Sequence, residues 1–274
     1  MCSSSNFSGT DEQTSSSQNK VQKCNGSHCP GQISVVGIGP GSLIDMTPRA
    51  KESIVSADVV VGYNTYIELI SDLLADKPVI GTAMMQGVDR CQKAVEEALA
   101  GKKVAVVSSG DPGVYGMAGL VLELVMKYPQ AIRPEVNIIP GISAVGASAA
   151  LLGAPLMHDF AVISLSNLLT PWDVIKKRVE MAAAADFVIA LYNPKSKRRT
   201  SQVQEVREIV LKYRLATTPV GIVHHATREG ENMKLSTLDE FTNEFIDMFS
   251  LVIIGNSQTY VQDGRMITPR GYKV

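Results

Sequence analysis

From Gln32 onward, short apolar runs alternate with helical stretches, and this alternation limits the fold more than any other feature. The runs are residues 32–39 (QISVVGIG), 57–63, 103–109 (KVAVVSS), 135–140, 160–165, 187–192, 219–225 and 251–255. Most are continuously apolar, the pattern of strands covered on both faces. Helical patterns fill the gaps. Residues 89–101 put Cys91, Ala94, Val95, Ala98 and Leu99 on one face and stop at Gly101. Residues 170–185 are expected to start with Thr170 as N-cap and Pro171 in the first position. Residues 201–213 and 237–245 carry Ser-x-x-Gln and Thr-x-x-Glu capping patterns. Strands alternating with helices specify an α/β protein with mainly parallel or mixed sheets.

The 274 residues divide unevenly. Residues 1–32 are rich in Ser, Asn, Gln and Gly, cannot bury enough apolar surface to offset ordering, and are expected to form a disordered tail. A boundary is expected where a small-residue helix ends at Gly153 and Pro155 follows. That gives an N-terminal α/β domain over 33–153, a C-terminal one over 154–274, and a cleft between them. A net charge of −1 argues against a general grip on nucleic acid. With no run long enough to span a bilayer and no signal-peptide pattern, the expected location is the cytoplasm. Of four cysteines, Cys91 reads as core. Cys24 and Cys29 stand near His28 in a spacing that matches no zinc pattern, so no metal is expected.

Three glycine-rich bends follow strand ends: 37–41 (GIGPG), 110–116 (GDPGVYG) and 140–144 (PGISA). Gly37, Gly39 and Gly41 do not make a dinucleotide fingerprint, because Pro40 interrupts and Ser42 stands where the third glycine belongs. No Gly-Lys-Ser/Thr follows any bend, which excludes a P-loop. Three bends of bare backbone in one half instead predict a pocket at the carboxyl ends of strands that reads its ligand through N–H and C=O groups.

The stretches VGIGPGSLIDMTPRA, SSGDPGVYGMAG and IIPGISAVGASAALLGAPLMHDF, in that order, resemble the tetrapyrrole methylases, S-adenosylmethionine-dependent enzymes of corrin and sirohaem synthesis. DMTPRAKESIVSADVVVGYNTYIELI, SLSNLLTPWDVIKKR and LYNPKSKRR are similar to the branch that methylates carbon 17 of precorrin-3B or cobalt-factor III. The resemblance implies two α/β domains, a cleft between them and a homodimer. It implies a donor site at Pro40, Gly110, Asp111, Val114, Tyr115, Ser143, Ala144, Asn193 and Ala226, with Asp111 facing the donor's cationic end. It further implies a tetrapyrrole acceptor bearing many carboxylates, for which Lys195, Lys197, Arg198 and Arg199 are candidate contacts. Methyl transfer rests on positioning, so no triad is expected. The coupled ring contraction needs an acid or base; His225, Asp45 and Thr47 are candidates, with His224 and His225 expected to point to opposite sides of a strand. The rival readings are a methylase acting on another ring carbon or on a diphthamide or ribosomal RNA acceptor, and a non-catalytic ligand sensor.

Overall fold

A computed structural model describes residues 30–83 and 86–273. Cys24, His28 and Cys29 lie outside the described residues. The first sheet contains β1 (Gln32–Gly37), β2 (Val59–Tyr63), β3 (Val79–Thr82), β4 (Lys103–Ser108) and β5 (Glu135–Ile139), all parallel, in the order β3-β2-β4-β1-β5. Connecting helices are α1 (Pro48–Val55), α2 (Asn64–Glu68), α3 (Gly87–Leu99) and α4 (Ala118–Val125). Successive strand residues serve opposite faces: Val35 packs with α3 and α4, whereas Val36 packs with α1. At α1 Pro48 opens the helix and the Thr47 hydroxyl accepts the Ala50 N–H at 3.1 Å.

Past α5 (Ala144–Leu152) the chain builds β6 (Gly153–Ala154), β7 (Phe160–Ser164), α6 (Trp172–Ala184), β8 (Val188–Tyr192), α7 (Gln202–Val210), β9 (Pro219–His224), β10 (Asn232–Thr237), β11 (Ser250–Ile254), β12 (Tyr260–Gln262) and β13 (Arg265–Ile267). The second sheet runs β10-β9-β11-β8-β7; only β7 and β8 are parallel, and its other pairs are antiparallel. Helices α6 and α7 cover one face. The other face is covered by α5, whose Val145, Ala149 and Leu152 pack on Val188, Ala190, Val223 and Ile253. By packing, then, the chain crosses between sheets at the bend before α5, and the expected boundary falls at that helix's far end. Strand β6 pairs in parallel with β13, so a strand from late in the chain clips onto the crossing segment.

Two expected helix signals resolve differently. Residues 237–245 form no α-helix: Thr237 ends β10, Leu238 N–H bonds the Thr218 carbonyl at 2.8 Å, and only a 3₁₀ turn, Phe241–Asn243, remains. Pairing with β9 has captured the residue that the capping pattern needed. Helix α6 starts one residue later than expected, with Pro171 rather than Thr170 in the N-cap position. No helix among the described residues is long and apolar enough to cross a membrane.

Candidate functional site

Strand order sets the site. Strands β1 and β4 are neighbours, yet α1 leaves β1 toward one face and α4 leaves β4 toward the other. Adjacent parallel strands whose connections diverge open a crevice at their carboxyl ends. The bends 37–41 and 110–116 fill this crevice, and the bend 140–144 joins them from β5 on the other side of β1.

The bends touch backbone to backbone. Gly39 and Gly110 exchange hydrogen bonds, N–H to carbonyl, at 3.2 and 2.7 Å, each with positive φ (77° and 67°). A Cβ on Gly141 would stand 2.3 Å from the Gly110 carbonyl oxygen and 2.7 Å from that of Gly37. Asp111 ties the knot: one oxygen accepts the Gly113 N–H at 2.8 Å and the other accepts the Gly141 N–H at 3.1 Å. Several of these glycines are thus required by contact between loops, before any ligand is considered. The carboxylate joins two bends rather than serving only as a partner for a cationic ligand, though its remaining lone pairs can still accept.

The second half closes over this junction. Arg228 donates from Nε to the Pro40 carbonyl (2.6 Å) and from an Nη to the Ser109 hydroxyl (2.7 Å), holding the first two bends together from across the cleft. Ser42 N–H reaches the Thr227 hydroxyl at 3.3 Å. Tyr115 donates its hydroxyl to the Val162 carbonyl and accepts the Ser164 N–H, both at 3.0 Å, so the Gly-Asp-Pro loop also grips β7. Its ring lies 5.3 Å from that of Tyr192, whose hydroxyl accepts the Val145 N–H at 2.9 Å, beside Ser143 and Ala144 at the start of α5. Of the seven non-glycine residues with positive φ among those described, Tyr115, Asn193, His225 and Thr227 belong to these loops. Strained backbone gathered at one place is a mark of a functional site.

The remaining expected residues are distributed as follows. Val114 lies in the Gly-Asp-Pro loop, half-buried, and Ala226 packs partly into the second core beside Ala144. Asn193 donates to the Ser164 hydroxyl at 3.0 Å. In the basic run Lys197 and Arg198 are exposed, Lys195 is half-buried, and Arg199 is buried with its guanidinium on the Asn193 carbonyl (3.0 Å). Arg199 fixes its own loop. Thr47 is likewise committed, as the cap of α1, and Asp45 ends a 3₁₀ turn, Leu43–Asp45, in the first bend. His224 and His225 do not point to opposite sides. With φ of 51° at His225 the strand geometry ends, and the two rings stack at 4.0 Å. His225 Nδ1 lies 3.1 Å from the Glu229 carbonyl, to which it can only donate, so the lone pair of the neutral ring is on Nε2.

His224 Nε2 meets an Asp247 oxygen at 3.1 Å on the wall of a cavity of about 290 Å³ shared with Phe245 and Lys234. Burial alone would push the Asp247 carboxyl up; the Phe249 N–H, the His224 ring and the Ser250 hydroxyl outweigh it and hold it below the usual value. A carboxyl lowered by folding stabilises the native state above its unfolded pKa, and the contribution fades as pH falls through the folded one. Urea midpoints measured from pH 7 downward should therefore drop into the acid range, and Asp247→Asn should remove that portion of the slope, on the order of 1 kcal/mol for a pair this exposed. Equal slopes in both proteins would show that the pair is not the source.

Arg90 and Arg228 escaped the sequence reading. Arg90 sits inside a helix pattern and Arg228 in a polar stretch after β9, and only the tertiary structure brings both to the crevice.

Comparison with known proteins gives a consistent picture. The family described as Tetrapyrrole (Corrin/Porphyrin) Methylases matches residues 32–242. A probable cobalt-factor III C(17)-methyltransferase of Salmonella typhimurium is 54% identical over 240 residues, 88% of this chain and 99% of that protein. The cobalt-factor III methyltransferase of Priestia megaterium is 51% identical over 245 residues; the match covers 89% of this chain but 45% of that longer relative. Among solved structures, the methyltransferase CobJ superposes with a TM-score of 0.83 at 36% identity, over 87% of this chain and 100% of that one.

Proposed function

The chain belongs to the tetrapyrrole (corrin/porphyrin) methylases, and on that premise we propose that it methylates carbon 17 of cobalt-factor III, coupled to ring contraction, in cobalamin biosynthesis. The observation that carries this reading is the 54% identity along nearly the whole Salmonella typhimurium relative, whose name gives cobalt-factor III as acceptor and C(17) as the methylated carbon. The relative at 51% identity is also named for cobalt-factor III, which favours the cobalt-containing acceptor over precorrin-3B.

S-adenosylmethionine supplies the methyl group, bound to a positively charged sulfur. The residues available suit such a donor: bare backbone at Gly110 and Gly113, small or apolar side chains at Val114, Ala144 and Ala226, and the Asp111 carboxylate. Pro40, Tyr115, Ser143 and Asn193 complete the set. Because the Gly39–Gly110 pairing and Arg228 hold the bends in place, little ordering is left for the moment of binding. Closure of the second half over the junction excludes water from the reacting centre. His225 Nε2, with its lone pair free, is the base candidate for ring contraction. The proposal places the enzyme in the cytoplasm as a homodimer.

Anaerobic incubation with methyl-labelled S-adenosylmethionine, offering cobalt-factor III and precorrin-3B in parallel, tests it by mass spectrometry. Label in cobalt-factor III is expected. Label in precorrin-3B alone moves the acceptor. No label in either, from protein that binds S-adenosylhomocysteine, overturns the assignment.

A further inference from the structure

A cavity of about 130 Å³ opens beside the Gly-Asp-Pro loop, lined by Tyr63, Tyr66, Arg90, Ser109, Tyr115 and Met117 among others. It is smaller than the roughly 300–1,000 Å³ that encloses a drug-sized molecule, so it admits a side arm and not a macrocycle. Arg90 is its unusual wall. The residue is 7% exposed, its Nη1 donates to the Thr82 hydroxyl at 2.7 Å, and its other Nη has only the Met117 sulfur at 3.8 Å. Its Nε is buried without any partner. No carboxylate pairs with it among the described residues.

A buried, always-charged guanidinium without a counter-ion is costly. Such a group persists where something outside the chain completes it. Arg228, also without a carboxylate partner among the described residues, reaches Ser109 on the same wall, so two cations border this space. Both guanidiniums pull the Tyr66 phenol downward against the burial that raises it, which places them close to that ring.

Resting on the functional reading above, we infer that Arg90 receives one carboxylate arm of the tetrapyrrole acceptor in this cavity. Thr82 aims the guanidinium, Tyr63 and Tyr66 wall the slot, and an arm seated here sets the position of the macrocycle against the donor loop. The basic run at 195–199 is then peripheral.

Titrating wild type, R90Q and R90K anaerobically with cobalt-factor III, followed by macrocycle absorbance, with S-adenosylhomocysteine titrated by calorimetry alongside, tests this. R90Q should weaken tetrapyrrole binding about 10- to 100-fold, the range of a lost charge-assisted hydrogen bond, and leave S-adenosylhomocysteine affinity within about twofold. R90K should fall between, since it keeps the charge and loses the fork. Unchanged tetrapyrrole affinity in folded R90Q overturns the inference. So does a loss confined to S-adenosylhomocysteine, which would assign Arg90 to the donor's carboxylate. If R90Q fails to fold, T82V, which leaves the guanidinium present but unaimed, should weaken the tetrapyrrole several-fold, and wild-type affinity in T82V counts against the inference. Wild type that binds S-adenosylhomocysteine but no cobalt-factor III overturns the functional reading and this subsite with it; wild type and R90Q binding cobalt-factor III equally removes the subsite alone.

Discussion

Gly141→Ala is expected to lose the loop junction and, with it, binding of S-adenosylhomocysteine. The added methyl would lie 2.3 Å from the Gly110 carbonyl oxygen, 2.7 Å from the Gly37 oxygen and 2.8 Å from the Gly37 carbonyl carbon. All three are backbone atoms, so no flexible side chain can move aside. One escape is to separate β5's bend from the other two, which breaks the Asp111–Gly141 hydrogen bond and loosens the Gly39–Gly110 pairing. Overpacking costs about 1–3 kcal/mol, and a clash against fixed backbone falls at the upper end of that range. Urea unfolding of the variant, with S-adenosylhomocysteine calorimetry, is the measurement. Gly119→Ala is the control: nothing stands within 4 Å of the added methyl, and a helical glycine replaced by alanine should stabilise by about 0.5–1 kcal/mol. A Gly141→Ala protein with wild-type stability and affinity would mean that the bends do not need their close approach.

Arg228→Met is expected to fold and yet lose about 100-fold or more in kcat/KM, because two charge-assisted hydrogen bonds of about 1.5–3 kcal/mol each disappear from the cleft. The methionine fills much of the space, so the stem's packing beside Gly41 survives while the Pro40 carbonyl and Ser109 hydroxyl lose their donor. The loss should appear in donor affinity as well as turnover, since the first two bends would no longer be held together from across the cleft. Arg228→Lys should recover part of it: one ammonium cannot serve two acceptors in the geometry of a fork. Wild-type kinetics in Arg228→Met would show that the bends are held by their own pairing alone.

The architecture was legible where local chemistry dictated it. All eight apolar runs are strands: six lie largely buried, as their continuous Val and Ile content implies, while β5 and β7 are sheet-edge strands with exposed apolar residues such as Ile138 and Phe160. The approach of the three bends was legible too, as glycines clustered after strands. What escaped depends on partners distant in sequence. Residues 79–82 and 232–237 form edge strands that show no apolar run, since half their surface is solvated. Nothing in 144–152 says which sheet it will cover, because a uniformly small, apolar helix has no polar face to orient it. Arg90 and Arg199 look alike in sequence. Both are buried with an unpartnered Nε, but Arg90 lines a cavity whereas Arg199 donates to the Asn193 carbonyl of its own loop, a distinction that only the tertiary surroundings make.

The pairing of β6 with β13 also dictates a schedule. Every strand of the first sheet is drawn from residues 32–139, so that sheet can be finished while the rest of the chain is still being synthesised. The face of the second sheet that α5 covers cannot, because Met266 of β13 is part of its core and Ala154 waits for Thr268 to donate to its carbonyl at 3.1 Å. Until that late strand leaves the ribosome, the crossing segment is an open edge beside an apolar face. The two halves of the cleft are therefore assembled at different times, with the glycine-rich bends formed first and their cover last.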